Sequence, residues 1–374
     1  MYYILSLLIG LCALLVIYPY LIYPLLLRLL PARAVARDPA HSCSATLVFC
    51  AYNEGGVMAE KLKNIETLKA RHPDLEVLAF DDGSSDSTYE QLAARPDLLT
   101  VVQGGGRNGK AHGMKRLAAR ARGEIMIFTD ANVLLDETAV SNLFAWYADP
   151  QVGGVCGTLK YLGAGESATA SVGGLYWRLE EKLKSQESHT GNVMGADGSI
   201  FSLRRALYPE FPDTVLDDLT VSMAAVFAGK RLIKADDVIA YERLVASRGE
   251  EFSRKVRIAA RAYHTHMHLR PQLAGMAPAD KFKYLSRKVI RWFGGLFLIL
   301  GAGLTVLTAA LISPLLGLAA LALLLAACLL GPRIKSGPAG AIAEIVLALL
   351  ATLLGVLRAL RGQTVVTWSP AKTR

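Results

Sequence analysis

The sequence predicts an α/β protein with a mostly parallel sheet and apolar helices at both ends. Three observations predict it. Short apolar runs (ATLVFC at 45–50, LEVLAF at 75–80, LLTVV at 98–102, EIMIF at 124–128) alternate with segments of helical periodicity, the pattern of strands joined by crossover helices. Polar, glycine-bearing turns follow these runs, at the carboxyl ends where such sheets bind ligands. The 52% hydrophobic content is high for a globular chain, and its excess sits in residues 1–30 and 289–358.

Residues 1–30 carry no charge before Arg28. They exceed a signal-peptide core, lack a basic start and show no small-residue cleavage site. Their length suits a retained membrane anchor. Arg28, Arg33 and Arg37 follow, which by the positive-inside rule keeps that end cytoplasmic. Residues 31–44 read as a polar linker, and 45–280 as a cytoplasmic catalytic domain. Within it, Val57, Met58, Leu62, Ile65 and Leu68 recur at helical spacing, and His112–Ala121 turns Met114, Leu117 and Ala118 inward. The segment 281–292 (KFKYLSRKVIRW) is basic and amphipathic, suited to a membrane surface. Residues 293–331 fit two apolar spans turning near Ser313-Pro314, a further apolar segment covers 339–358, and 359–374 is a basic tail with Arg361, Lys372 and Arg374.

The net charge of +9, from 41 basic and 32 acidic residues, gathers beside the apolar segments. It fits anionic lipid better than nucleic acid, which is not expected as a partner. The cysteines at 12, 43, 50, 156 and 328 form no C-x-x-C pair, so neither a disulfide framework nor a zinc site is expected.

The polar signatures carry the chemistry. FCAYNEGG (49–56) follows the first apolar run and FDDGSSDST (80–88) the second. Paired carboxylates at a strand end, Asp81 and Asp82, can hydrogen-bond a ribose or a base, and the Gly-Ser turn admits backbone N–H groups to a ligand. Taken alone, the same turn equally suits a helix cap. GRNGKAHGMK (106–115) brings Arg107 and Lys110 to a helix start, a place for an anion, although its spacing is not that of a Walker loop. IFTDANVLL ends an apolar run in Asp130, where a carboxylate can hold a divalent ion bridging two phosphates, with Asn132 as a neutral oxygen ligand. VMGADGSIF (193–201) offers Gly195 and Asp197, and VLDDLTV (215–221) opens a helix with Asp217 and Asp218. Arg254, Arg257 and Arg261 share one helical face, able to neutralise a departing diphosphate or simply to face solvent. His264, His266 and His268 alternate without an acidic or cysteine partner to complete a metal set.

The ordered series A-Y-N-E, D-D-G-S-x-D, G-K-A, D-x-N, G-A-D-G and D-D-L resembles the inverting family 2 glycosyltransferases of the GT-A fold, in their membrane-anchored bacterial form, over roughly residues 45–262. The resemblance implies a Rossmann-like GT-A domain, a nucleotide-diphosphate sugar donor, usually a UDP-sugar, and Mg²⁺ or Mn²⁺. It places Tyr52 and Glu54 with Asp81, Asp82 and Lys110 on the donor side, and Asp130 with Asn132 at the metal. Gly195 and Asp197 fall on the acceptor side, and Asp218, the second acid of its pair with Asp217, is the base. The family often has D-x-D where this chain has Asp130-Ala131-Asn132. The expected reaction is sugar transfer to a lipid-linked or growing glycan acceptor at the inner membrane, in exopolysaccharide or cell-envelope glycan synthesis. The alternatives are a processive polysaccharide synthase and a non-catalytic nucleotide-sugar-binding transport component. The second is disfavoured because Glu344 is the single acid in the apolar spans of 293–358.

Processive members carry Q-x-x-R-W where this chain has Arg254 and Ile258 around Arg257. A branched aliphatic chain gives a sugar ring no flat face, so the acceptor should leave after one or a few additions. Sizing the products made from labelled donor by the purified chain checks this. A high-molecular-weight ladder from this chain alone overturns it.

Overall fold

The structure is a computed structural model and describes residues 1–162, 168–243, 248–334 and 337–363. Most of the basic tail, including Lys372 and Arg374, lies outside the described residues.

Eight strands form one sheet: β1 (Ala45–Ala51), β2 (Glu76–Asp81), β3 (Thr100–Gln103), β4 (Ile125–Thr129), β5 (Leu134–Leu135), β6 (Val152–Leu162), β7 (Ile200–Arg204) and β8 (Arg231–Arg243). Their order is β3-β2-β1-β4-β7-β6-β8-β5. The four early strands pair in parallel, with Val48 opposite Leu78 on one side and Phe128 on the other. The expectation of a mostly parallel sheet needs correction, because the sheet is mixed. β7 enters between β4 and β6 antiparallel to both, and β5 pairs antiparallel with β8. The reversal has a consequence for function. The amino end of β7 lies at the same edge as the carboxyl ends of β1, β2 and β4, so the loop before β7 joins the loops after the others.

The fifteen α-helical segments, among the described residues, run in chain order. α1 (Tyr2–Ile17) and α2 (Ile22–Leu27) precede the sheet. α3 (Gly55–Arg71), α4 (Thr88–Ala93), α5 (Lys110–Ala118), α6 (Ala139–Trp146), α7 (Ala168–His189) and α8 (Asp217–Phe227) connect the strands. After β8 come α9 (Arg248–His268), α10 (Arg270–Ala274), α11 (Pro278–Tyr284), α12 (Ile290–Trp292), α13 (Gly294–Ile312), α14 (Pro314–Leu330) and α15 (Gly337–Leu360).

The sheet divides the core in two, since successive strand residues face opposite ways. Leu47 and Phe49 of β1 join Met58, Ile65 and Leu68 of α3 and Leu143 of α6 on one face. Val48 and Cys50 join Met114 and Leu117 of α5 and Val221 and Ala225 of α8 on the other. β1 is buried along its whole length, as a strand covered on both faces must be.

The expected N-terminal segment is two helices broken around Tyr18–Leu21, beside Pro19, whose ring cannot donate to a helical ladder. The apolar run after residue 293 folds as the expected pair, α13 and α14, parted at Ser313. Two helices, Gly294–Ile312 and Gly337–Leu360, are long and apolar enough to cross a membrane by length and composition. α1 packs on α13, and α13 on α14. α15 lies along the charged helix α9 and also packs on α13 and α7.

A buried ionic cluster ties these helices to the domain. Glu187 of α7 accepts hydrogen bonds from Tyr23 Oη (2.6 Å), Arg287 Nη1 (2.5 Å) and the Met194 amide (3.0 Å). Arg287 and Arg291 both reach Glu180, at 2.5 and 2.8 Å. A buried guanidinium needs such partners to offset its lost hydration.

The close approach of α15 and α9 depends on Gly355, where a Cβ would stand 2.5 Å from the Val256 carbonyl oxygen and 2.6 Å from Ala259 Cβ. Gly355→Val should therefore cost about 1–3 kcal/mol by overpacking and lower the Tm of the detergent-solubilised protein. Gly303→Val, where a Cβ meets nothing within 4 Å, serves as the control. Equal melting of the two variants would remove Gly355 as the reason for the contact.

Candidate active site

The turn after β1 is strained and stitched to the turn after β2. Asn53 has φ +52°, tolerable for asparagine. Its amide donates to Ser84 Oγ at 3.0 Å, and its side-chain oxygen accepts from the Ser85 amide at 2.8 Å. The Glu54 and Gly55 amides donate to Thr88 Oγ1 and Asp86 Oδ2. Burial works against the Asp86 carboxylate, but the Thr88 hydroxyl and the amides hold its pKa below the usual range. The two signatures that the sequence separates by some thirty residues thus form one wall.

Asp81 and Asp82 sit in that wall, both buried. Asp81 accepts from the Ser84 amide at 3.3 Å. Asp82 accepts from the amides of Asn108 (2.7 Å) and Gly109 (3.0 Å), so it closes the glycine loop onto the start of α5. Burial raises its pKa, opposed by those amides and by Arg107. The Arg107 guanidinium lies 3.7 Å over the Tyr52 ring, a cation–π stack. Of the residues expected on the donor side, Asp81 and Asp82 are thus buried and hold the turns in place, while Tyr52 and Lys110 stand at the two ends of the glycine loop that Asp82 ties down.

Lys110 is the hub. Its ammonium is 2.6 Å from Asp130 Oδ1 and 3.8 Å from Asp217 Oδ2. Burial disfavours the charge, but Asp130, Asp217 and Asp218 outweigh it and hold the lysine protonated. Gly198, just before the reversed strand β7, marks the centre. A Cβ there would stand 2.9 Å from Lys110 Nζ and 3.7 Å from a carboxylate oxygen of each of Asp130 and Asp218. Only a glycine leaves that space open.

Asp217 and Asp218 open α8, as expected. Asp217 is buried, whereas Asp218 keeps partial access to solvent. Burial, then the charge of Asp217, pushes the Asp218 carboxyl up to about 6, against the pull of Lys110 and Arg261. A carboxylate poised near neutrality suits a general base.

The remaining expected residues have defined places. Asp197 accepts from the Lys184 ammonium and from the Ser199 amide at 3.2 Å. Lys184 overcomes the effect of burial and keeps Asp197 ionised. Gly195 has φ +93°. The Asn132 amide donates to Glu242 Oε1 on β8 at 2.9 Å. Its side-chain oxygen is the donor left for a cation. The shared arginine face resolves into separate roles: Arg254 pairs with Glu251 at 2.9 Å, while Arg261 is buried and donates to the Val215 carbonyl at 2.9 Å with its Nε unmatched. Arg257 is half-buried between them. His264 contacts Thr214, and His266 stacks on Tyr284.

Sequence reasoning missed Lys61. Wholly buried on α3, it donates to the carbonyls of Asp130 (3.0 Å) and Val133 (2.6 Å), fixing the turn that presents Asp130. Burial lowers its ammonium to about 7, opposed by Asp130. The signal was present, since Lys61 falls three residues after Met58 and four before Ile65, on the inward face of the helix.

A divalent cation would find hard oxygen donors here. The Asp130 carboxylate is more than one-third exposed, and only its Oδ1 carries the lysine. Oδ2 faces the space at Gly198, so the donor chemistry fits Mg²⁺ or Mn²⁺ completed by phosphate and water oxygens. Among the described residues, no group of three histidine, cysteine, aspartate or glutamate side chains could hold a metal.

Residues 46–211 match the family model described as glycosyl transferase family 2. No curated protein matches the chain. Among solved structures, the mannosyltransferase PcManGT from Pyrobaculum calidifontis, in complex with GDP-Man and Mn²⁺, is 24% identical. That likeness has a TM-score of 0.76 over 96% of this chain and 99% of that one, and it establishes a shared GT-A-like fold. GalNAc-T7 with UDP, GalNAc and Mn²⁺ is 14% identical over 68% of this chain and 56% of that one, at a TM-score of 0.44. Mannosyl-3-phosphoglycerate synthase from Rubrobacter xylanophilus is 19% identical over 62% and 75%, at 0.42. The family match and the shared fold support a glycosyltransferase.

The raised carboxyl at Asp218 sets a pH dependence. A base works when ionised, so kcat/KM should rise with pH through about 6 and then level. Asp217→Asn removes the neighbouring negative charge, and the acid limb should move down by up to about one pH unit. An unmoved or upward-shifted limb would show that another group controls it.

Proposed function

We propose that this chain is an inverting glycosyltransferase that moves a sugar from a nucleotide-diphosphate donor to a hydroxyl of a lipid-linked or growing glycan acceptor. One observation carries the reading: Lys110, Asp130 and Asp218 converge on the open space at Gly198, from three different strand connections.

The derived chemistry is a single displacement. Asp218 takes the proton of the acceptor hydroxyl as its oxygen attacks the anomeric carbon. The bond from that carbon to the diphosphate breaks on the opposite side, and the nucleoside diphosphate leaves. Lys110, with Arg261 behind Asp218, opposes the charge growing on the leaving group. Tyr52, with Arg107 stacked on it, borders the nucleoside, and the buried Glu54, Asp81 and Asp82 hold the turns behind it. Arg254 and Arg257 extend the positive face of α9. A Mg²⁺ or Mn²⁺ ion held by Asp130, with Asn132 beside it, would supply further neutralisation of the diphosphate. Gly195 and Asp197 border the acceptor side, Asp197 through its fixed pair with Lys184.

The donor is a UDP-sugar or a GDP-sugar. The family resemblance favours the first, and the GDP-Man complex of the Pyrobaculum enzyme brings in the second. The enzyme belongs at the inner membrane with its domain in the cytoplasm. The mutual packing of α1, α13 and α14, with many exposed leucines and isoleucines, supports this, as do Arg28, Arg33 and Arg37 beyond the first apolar segment. α15 rests on the charged helix α9, so it suits the membrane surface better than a crossing and leaves the chain end cytoplasmic. This segment order matches a role in exopolysaccharide or cell-envelope glycan synthesis.

The test uses sealed vesicles and a panel of UDP- and GDP-sugars. Inverted vesicles carrying the full chain should consume one donor in a Mg²⁺- or Mn²⁺-dependent way, and right-side-out vesicles should not. Asp218→Asn should lower turnover by about 10²–10⁴-fold and leave nucleotide affinity intact. No donor consumed under any condition, or less than a tenfold loss in the variant, would defeat the reading.

A further inference from the structure

Between α11 and α12 the backbone makes a π-helical turn, Leu285–Val289. Such turns are rare and gather at functional sites. We infer that Lys288, on this turn, binds the phosphate that joins a lipid to the acceptor saccharide. The inference rests on the transfer reading above and narrows its acceptor to a lipid-phosphate-linked sugar.

The charge balance around the turn is the first argument. Lys283, Arg287, Lys288 and Arg291 are neighbours in sequence. Lys283 donates to the Glu187 carbonyl at 2.9 Å, Arg287 to Glu187 and Glu180, and Arg291 to Glu180. Lys288 has no hydrogen bond or ion pair among the described residues. Every oxygen of the two carboxylates already accepts from another residue. On Glu187, Oε1 accepts from Tyr23, and Oε2 accepts from Arg287 and the Met194 amide. On Glu180, Oε1 accepts from Arg287 and Oε2 from Arg291. Lys288 is half-buried, and a partly desolvated ammonium with no direct partner gains from a bound anion. Burial, then the charge of Arg287, lowers the Lys288 ammonium to about 8, with Arg291 adding to the effect and Glu180 and Glu187 opposing it, so it is still largely charged at neutral pH.

Geometry is the second argument. The Lys288 ammonium lies 3.8 Å from the position of a Cβ on Gly195, and the same position meets Leu219 Cδ1 at 2.6 Å. Leu219 directly follows the base Asp218. Gly195, beside the ammonium, and Gly198, beside the reacting space, are three residues apart on one loop, at most about 10 Å of chain. An acceptor lying along this loop would place its phosphate at Lys288 and its hydroxyl at Asp218.

The third argument is position. The π turn ends five residues before α13 begins at Gly294. A phosphate carried on an apolar tail beside α13 would lie near the turn that bears Lys288. A compact ammonium on a flexible stem suits a phosphate approached from varied angles. A phospholipid headgroup shares this chemistry, so the experiment must separate the two.

The full chain in phosphatidylcholine nanodiscs is titrated with farnesyl phosphate and with farnesol, above the partitioning into empty nanodiscs. The wild type should bind the phosphate at least about tenfold tighter, as a charge-assisted hydrogen bond allows. Lys288→Gln should lose that preference and Lys288→Arg keep it. Lys288→Met, with its Tm measured, guards against a folding artefact: both uncharged variants should lose the preference while melting like wild type. Undiminished preference in either one overturns the inference. So does loss of the wild-type preference when phosphatidylglycerol replaces part of the phosphatidylcholine, because the site then belongs to a headgroup. A wild type that consumes no donor yet prefers farnesyl phosphate through Lys288 defeats the transfer reading and leaves the phosphate site standing. Transfer without that dependence defeats only the inference.

Discussion

The site depends on one ammonium. Three carboxylates, Asp130, Asp217 and Asp218, approach the same space, and burying them together without compensation would be prohibitive. Lys110 supplies the compensation, at 2.6 Å from Asp130 and 3.8 Å from Asp217. It also leaves an asymmetry. Asp130 receives the direct contact and Asp217 the longer one, while burial, then the charge of Asp217, pushes the Asp218 carboxyl up to about 6. One charge pairing therefore gives chemically identical side chains different environments. Lys61 supports the arrangement from the other side by fixing the carbonyls of the Asp130 turn.

A second set of buried charges connects the domain to the apolar helices. Glu187 is bound at once by α2 through Tyr23, by the π turn through Arg287, and by the Met194 amide of the loop before β7. Breaking one partner of a buried pair is usually more damaging than replacing the whole pair by apolar groups. This cluster accordingly reads as a device for alignment. It holds the loop carrying Gly195, Asp197 and Gly198 in register with the helices that follow residue 290. The orientation of that loop and of the apolar segments is thereby a single decision.

Much of the fold was legible in the sequence. β1 to β4, the inward faces of α3 and α5, and the parting of α13 from α14 at Ser313 follow from local periodicity and turn chemistry, which the chain carries wherever it folds. The polar turns proposed for the donor side were legible as turns for the same reason, because they directly follow strands. Other features were not. Asp197 was marked for an acceptor, and its carboxylate is held by Lys184 from a helix. Asn132 was marked for a metal, and its amide is engaged by Glu242 on β8. Each of these partners is distant enough in sequence, or ordinary enough in type, to give no local sign.

The sequence by itself determined which segments become strands and helices, which turns bear carboxylates and cations, and where the apolar segments lie. Only the tertiary structure decided that β7 runs backwards between β4 and β6, that α15 lies against α9, and that Lys288 faces Gly195. The physical reason is range. Strand and helix preferences come from neighbours a few residues apart, whereas strand direction, helix docking and the balance of buried charge arise between elements that meet only when the whole chain has packed.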